Sequence, residues 1–224
     1  MLSTSDYERV RTAILAATPI ALKSSSYTSA HRDYIDRVLS LYLYELGLVH
    51  LHNNLAYCVH ELAGNSRNAL LKRIYFAEHG LDIADRDQYE QGMRSFRQDT
   101  IGEKQRYLRA LERSTYYIRF VFRHSEEEAR IAIENNTPLL PIERERIVEK
   151  LTNAKRYKTM ADAYASLADF SEGAGLGIAM VVVMLRTLGL SPESLVIGNS
   201  GDEDGFTRAT IKINRSTVGR LQTA

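Results

Sequence analysis

With 224 residues, 44% hydrophobic and 25% charged, the chain has the composition of a soluble globular protein long enough to bury a proper core. Twenty-nine basic residues against 28 acidic ones leave a formal net charge of +1, which gives no field favouring DNA or an acidic membrane, so neither nucleic acid nor membrane is expected as a partner. The single cysteine, Cys58, has no internal partner, the longest apolar run (176–185) is too short to span a bilayer, and the start of the chain lacks the pattern of a signal peptide, so a cytoplasmic location is expected.

In chain order, Ser5 is a plausible N-cap for a first helix ending near Thr18-Pro19. "KSSSYTS" at 23–29 reads as a polar connection without core-forming content. From His31 to about Glu78 the spacing is helical throughout. A straight helix of that length would reach roughly 70 Å at ~1.5 Å per residue, too long for this chain, so a break is expected near Gly47. Helices follow at 85–96 and 103–113. The texture then turns β-rich: "STYYIRFVF" (114–122) and "EARIAIEN" (128–135) alternate in polarity around a charged turn and predict a hairpin. Pro141 opens a helix over 141–157, followed by further helix at 159–170 and at 176–188, the last ended by Gly189. Two strands, 194–198 and 205–213, close the chain around the acidic turn "NSGDED". Helices first, then strands and helices mixed, predict an α+β fold, a two-layer α/β sandwich with one sheet covered on one face.

The helix through 51–78 carries the pattern with most chemical content. At ~100° per residue, Asn54, Glu61, Asn65, Asn68 and Lys72 share one narrow stripe, while Leu51, Leu55, Cys58, Leu62 and Ala69 occupy the neighbouring, core-facing arc. A carboxylate with several carboxamides suits a hydrated cation, since magnesium takes few protein oxygens and fills its octahedron with water and phosphate. The simpler alternative is a solvated polar stripe beside an ordinary core face. Further on, "SEGAGLGIAM" (171–180) leads Gly173, Gly175 and Gly177 into a helix. There the glycines either cradle a phosphate at a helix N-terminus or let a buried helix pack closely.

Taken together, "ELAGNSRNA", "IAIENNTPLLPIERERIVEKL" and "SEGAGLGIAMVVVMLRTLG", in that order over about 48–213, resemble the GHKL ATPase superfamily, and within it the ATP-binding domain of sensor histidine kinases. The resemblance implies a two-layer sandwich in which ATP and magnesium lie between the asparagine-box helix and a glycine loop. It makes Asn65 the magnesium ligand and Glu61 the group that orients or deprotonates a water or hydroxyl near the γ-phosphate. It lines the phosphate loop with Gly173, Gly175, Leu176 and Gly177, brings Lys72 toward the phosphates, and puts Asn135 at the adenine. Arg146 and Ile147 match the family's arginine-isoleucine step. The sequence departs from the pattern where Asn135 replaces an aspartate, where Thr137 and Leu139 replace glycines, where Asn68 replaces a lysine or aspartate, and where Glu172 sets a negative charge beside the phosphates. His31, in "HRDYIDR", is the nearest match to a phosphoacceptor.

The resemblance divides the chain into an N-terminal helical region (1–46), the ATP-binding domain (47–215) and a tail (216–224). An apolar stripe of Tyr34, Val38, Leu41 and Leu46 on the N-terminal helices predicts a homodimer. The functional expectation is a magnesium–ATP-binding protein of two-component signal transduction. The alternative is a non-catalytic adaptor of the same fold that binds a response regulator or another signalling protein.

Overall fold

The computed structural model describes residues 3–167, 176–200 and 205–219. Strands β1 (Ile20–Ser24), β2 (Ile118–His124), β3 (Glu128–Asn135), β4 (Leu195–Asn199) and β5 (Thr207–Asn214) form one sheet in the order β1-β2-β3-β5-β4. Every neighbouring pair is antiparallel. The four strands read from the alternating segments are all present in this sheet. Side chains alternate along each strand, so β2 turns Ile118, Phe120 and Phe122 to one face, β3 turns Ile131 and Ile133, and β5 turns Ile211 and Ile213. All seven are fully buried.

Helices cover that face. Helix α1 is Thr4–Leu15 and α2 is Ser29–Glu45; the long α3 is His52–Glu78; α4 (Arg86–Gly102) and α5 (Lys104–Arg113) follow. After the hairpin come α6 (Pro141–Ala154), α7 (Met160–Leu167), α8 (Leu176–Thr187) and the short α9 (Arg215–Gly219). The expected break falls where it should: α2 ends at Glu45 and Gly47 takes φ +72° before the chain re-enters helix. Helix α3 buries Leu51 beside its start, then Leu55, Cys58 and Leu62 along the predicted arc, while Ala69 is half-buried. Its C-terminal half is held by an aromatic cluster, with Tyr75 packed on Phe76, Phe96 and Tyr107, and Phe76 on Tyr89. An added Cβ at Gly92 would lie 2.5 Å from the Phe76 ring, so that glycine admits the close approach of α4.

The N-terminal region differs most from its reading. The first helix is capped by Ser3, whose hydroxyl accepts from Asp6 N, not by Ser5. Residues 20–24 form an edge strand that pairs with β2. The polar connection also carries core: Ser24, Ser26 and Tyr27 are buried, and Tyr27 packs on Phe120 with ring centroids 5.4 Å apart. The stripe read as a dimer face is spent within the chain, because Val38, Leu41 and Leu46 are buried and Tyr34 packs against the same core. At the other end, residues 215–219 are helical and Val218 is buried in that core.

Candidate functional site

Helices α3 and α8 run antiparallel. Asn54, near the start of α3, donates through Nδ2 to Thr187 Oγ1 at the end of α8 (3.2 Å), and Cys58 meets the Val181 carbonyl midway. Two and three turns further along α3, Glu61 and Asn65 therefore meet the first turn of α8. A Cβ built on Gly177 would stand 2.6 Å from Glu61 Oε2 and 3.8 Å from Asn65 Nδ2. An added Cβ would push the Glu61 carboxylate aside, so the glycine permits its close approach. Glu61 and Asn65 thus stand on one side of α3 beside Gly177. A helix N-terminus carries partial positive charge, which favours the carboxylate there.

Asn65 and Asn68 are exposed, and Glu61 is half-buried. Among the described residues none of the three makes a side-chain hydrogen bond. Leu176 and Gly177 begin α8, whereas Gly173, Gly175 and Glu172 lie outside the described residues. Among the described residues no group of three or more His, Cys, Asp or Glu is placed to hold a metal ion. A magnesium site built from one carboxamide, water and phosphate needs no such group. Asn65 is exposed beside Gly177, with Nδ2 its nearest atom, and its carboxamide also carries the neutral oxygen that such a ligand set uses.

Lys72 is placed differently. Its Nζ lies 2.5 Å from Oε1 of Glu143, in the first turn of α6, and Arg73 donates to both oxygens of the same carboxylate at 2.6 Å. Arg73 also donates to the Pro138 carbonyl (2.9 Å). Burial would raise the Glu143 pKa, but hydrogen bonds from Arg73 and the charges of Lys72 and Arg73 outweigh it and hold the carboxyl at about 2. Lys72 therefore ties α3 to α6 in this structure. Arg146 stands over the Tyr89 ring at 4.9 Å. Burial, then the charges of Lys72 and Arg146, lower the pKa of Lys150 one turn on.

Asn135 ends the inner row of β3 and is buried, with α3 packed on that strand. Its Oδ1 accepts from Thr137 N (3.3 Å) and from Thr137 Oγ1 (2.7 Å), which uses both lone pairs. Thr207 Oγ1 donates to the Thr137 carbonyl (2.8 Å), and Leu139 N donates to Asn199 Oδ1 (2.8 Å). The loop that the resemblance would make glycine-rich is fixed by these side chain–backbone bonds. Glu143 was missed from the sequence. Its one signal was its position, two residues after the proline that opens α6, where a carboxylate suits a helix N-terminus.

The histidines serve other contacts. His31 Nδ1 faces Thr28 Oγ1 (2.9 Å) and accepts from Thr28 N at 3.4 Å, so the nearest match to a phosphoacceptor caps α2. His52 and His60 both approach Asp36 Oδ1, at 3.5 and 3.6 Å, and the Tyr27 hydroxyl meets His60 Nδ1 at 2.5 Å. Asp36, His52 and His60 border a cavity of about 370 Å³ also lined by Arg32 and Tyr57. Burial, then the charge of Arg32, lowers the His60 pKa. Burial pushes the Cys58 thiol up to about 12, so it is a buried apolar group and not a nucleophile. No described helix is long and apolar enough to cross a membrane.

Against known proteins, no family model matches the chain and no solved structure matches it. A protein of Treponema pallidum (strain Nichols), described as an uncharacterized protein, is 35% identical over 188 residues, which is 84% of this chain and 37% of that relative. The chain thus matches little more than a third of the relative's length.

Proposed function

We propose that this chain is a nucleotide-binding domain of the GHKL type that holds magnesium–ATP between α3 and the glycine loop leading into α8, in a cytoplasmic signalling protein. The observation that carries the reading is the meeting of Glu61 and Asn65 with Gly177 at the α8 N-terminus. Asn65 would supply a neutral oxygen to magnesium, whose chemistry favours few protein ligands beside water and phosphate. Leu176 and Gly177 begin α8, and with Gly173 and Gly175 they would supply backbone N–H groups to the phosphates. Glu61 would act as the base, accepting a proton from a water or hydroxyl beside the γ-phosphate. Bound magnesium neutralises phosphate charge. Asn68 lies one helical turn beyond Asn65 and hydrogen-bonds phosphate or its water shell, and Asn135 borders the base.

Titration calorimetry with a non-hydrolysable ATP analogue tests this. Binding is expected to require magnesium, to exceed that of adenosine, and to lose its magnesium dependence in Asn65→Ala, while stability stays within about 0.5 kcal/mol of the parent because Asn65 is an exposed side chain. No heat at millimolar analogue, with magnesium present and the protein folded, would discard the nucleotide reading. The bonded state of Asn135 and of Lys72 favours a second reading in that case: an adaptor of the same fold that binds a response regulator or another signalling protein. Pull-down of such a regulator by the Asn65→Ala protein separates the two.

A further inference from the structure

The face of the sheet turned away from the helices has an order that strand register alone reveals. Pairing aligns Lys23, Arg119, Glu134, Arg208 and Gly198 in one row across all five strands. Two residues further along, Ala21, Val121, Ala132, Thr210 and Val196 form a second row. A third row holds Arg123, Arg130 and Lys212. Among the described residues of these strands, six cations therefore stand on this face with two carboxylates, Glu134 and Glu128, in a chain whose net charge is only +1. Glu134 is already held between Arg119 and Arg208, each at 2.5 Å, and Glu128 pairs with Arg130.

Between the cationic rows the stripe is apolar and small-residued. Ala21 is exposed at one end, Val196 is 46% exposed at the other, and Val121 and Ala132 sit nearly covered at the centre. Rows two residues apart are separated by ~7 Å, so the outer rows lie ~14 Å apart, and the stripe runs ~19 Å across the strands. An α-helix about 10 Å wide fits between such rows, with its flanks beside the cations.

We propose that this face docks an acidic amphipathic helix from a partner protein, laid across the strands with its apolar side chains on the Ala21–Val196 stripe and carboxylates on both flanks reaching the two rows of Arg and Lys. Charge complementarity selects the acidic helix, and the apolar stripe distinguishes it from a nucleic acid. A polyanion would use the cations, but it would find no ring in the stripe to stack on. The nearest rings, Tyr117 and Phe206 at the margin, are engaged by Lys23 (3.6 Å) and Arg119 (5.0 Å). The proposal is independent of nucleotide binding.

The test uses the full chain and a synthetic peptide of about 18 residues, long enough as a helix to cross the stripe. Its leucine face is flanked on both sides by glutamate, and a dye reports binding by anisotropy. A scrambled peptide of the same composition and an oligouridylate serve as competitors. The ordered peptide is expected to bind about tenfold or more tightly than the scrambled one, and reversing row charge in Arg123→Glu/Lys212→Glu is expected to weaken it at least about tenfold. Val196→Ser, which leaves all charges in place, is expected to weaken it severalfold, with circular dichroism confirming the fold of each variant. Equal binding of ordered and scrambled peptides overturns the proposal. So does tighter binding of oligouridylate, unchanged affinity in the variants, or no peptide binding at all.

Discussion

Along α3, Glu61, Asn65 and Asn68 make no side-chain hydrogen bond within the described residues, whereas between Asn135 and Glu143 the polar groups are bonded to one another. Asn135 takes both donors of Thr137, Thr137 and Leu139 are tied through their backbone to Thr207 and Asn199, and Glu143 takes Lys72 and Arg73. Both segments come from the family-like pattern, and both border the same helix layer. The first leaves its polar groups without hydrogen bonds among the described residues, while the second uses them to fix a loop. A buried polar network of the second kind rigidifies a structure, and its loss is costly because each abandoned partner stays desolvated. The contrast teaches that matching residue types do not guarantee matching roles: Lys72 has the right spacing for a phosphate and serves as a strut.

The largest expected effect comes from breaking the strut. Glu143→Ala leaves Lys72 and Arg73, whose side chains are only 16% and 9% exposed, without their carboxylate. Stability should fall by about 3–5 kcal/mol, as for other broken buried pairs, read from urea unfolding. A loss below about 1 kcal/mol would erase the contrast between the two segments.

Acid should expose the same group. The Glu143 carboxyl titrates near 2 when folded and near its ordinary 4.5 when unfolded. Between these values the unfolded chain binds more protons, so the contribution is complete above pH 4.5 and disappears as pH falls toward 2. Its size is on the order of 3 kcal/mol. Unfolding measured across that window should show this acid-labile component in the parent protein and lack it in Glu143→Ala.

Gly177→Ala probes the open segment. The new methyl would meet Glu61 Oε2 at 2.6 Å, but that oxygen ends a flexible side chain and can swing away. Replacing glycine by alanine in a helix also stabilises by up to about 1 kcal/mol. Stability should therefore change by less than about 1 kcal/mol, while affinity for the magnesium–ATP analogue drops about tenfold in calorimetry. Unchanged affinity would mean that the glycine serves packing alone.

The smallest effect tests the closed segment from the ligand side. Asn135→Asp keeps an acceptor for both Thr137 donors and adds charge, and charge-assisted hydrogen bonds exceed neutral ones by roughly 0.5–1.5 kcal/mol. Affinity for the ATP analogue should rise severalfold to about tenfold. If it stays level, Asn135 is a loop anchor only, and the two segments differ even more sharply.

Much of this was legible in the chain itself. Alternation marked strands β2 to β5 because their core-facing positions are mostly apolar, and the α3 stripe put Glu61 and Asn65 on one side of the helix. Strand β1 was not legible, since Ile20, Leu22 and Ser24 are too few and too mixed to show a period, and its pairing with β2 spans about a hundred residues. The burial of Tyr27 in a serine-rich turn was hidden for a similar reason, because local composition says nothing about Phe120 arriving from β2.

Sequence alone determined which residue types could meet: periodicity is a property of neighbouring positions, and it sets the face of a helix or strand before any tertiary contact forms. It therefore defined the carboxylate–carboxamide stripe, the glycine run and the mixed α+β plan. Tertiary structure decided the partners. Only the antiparallel packing of α3 and α8 brings Glu61 to Gly177, only the approach of α6 turns Lys72 onto Glu143, and only strand register lines up cations from four separate strands. Each of these depends on side chains distant in sequence, whose pairing is fixed by the packing of the whole core and has no local signature.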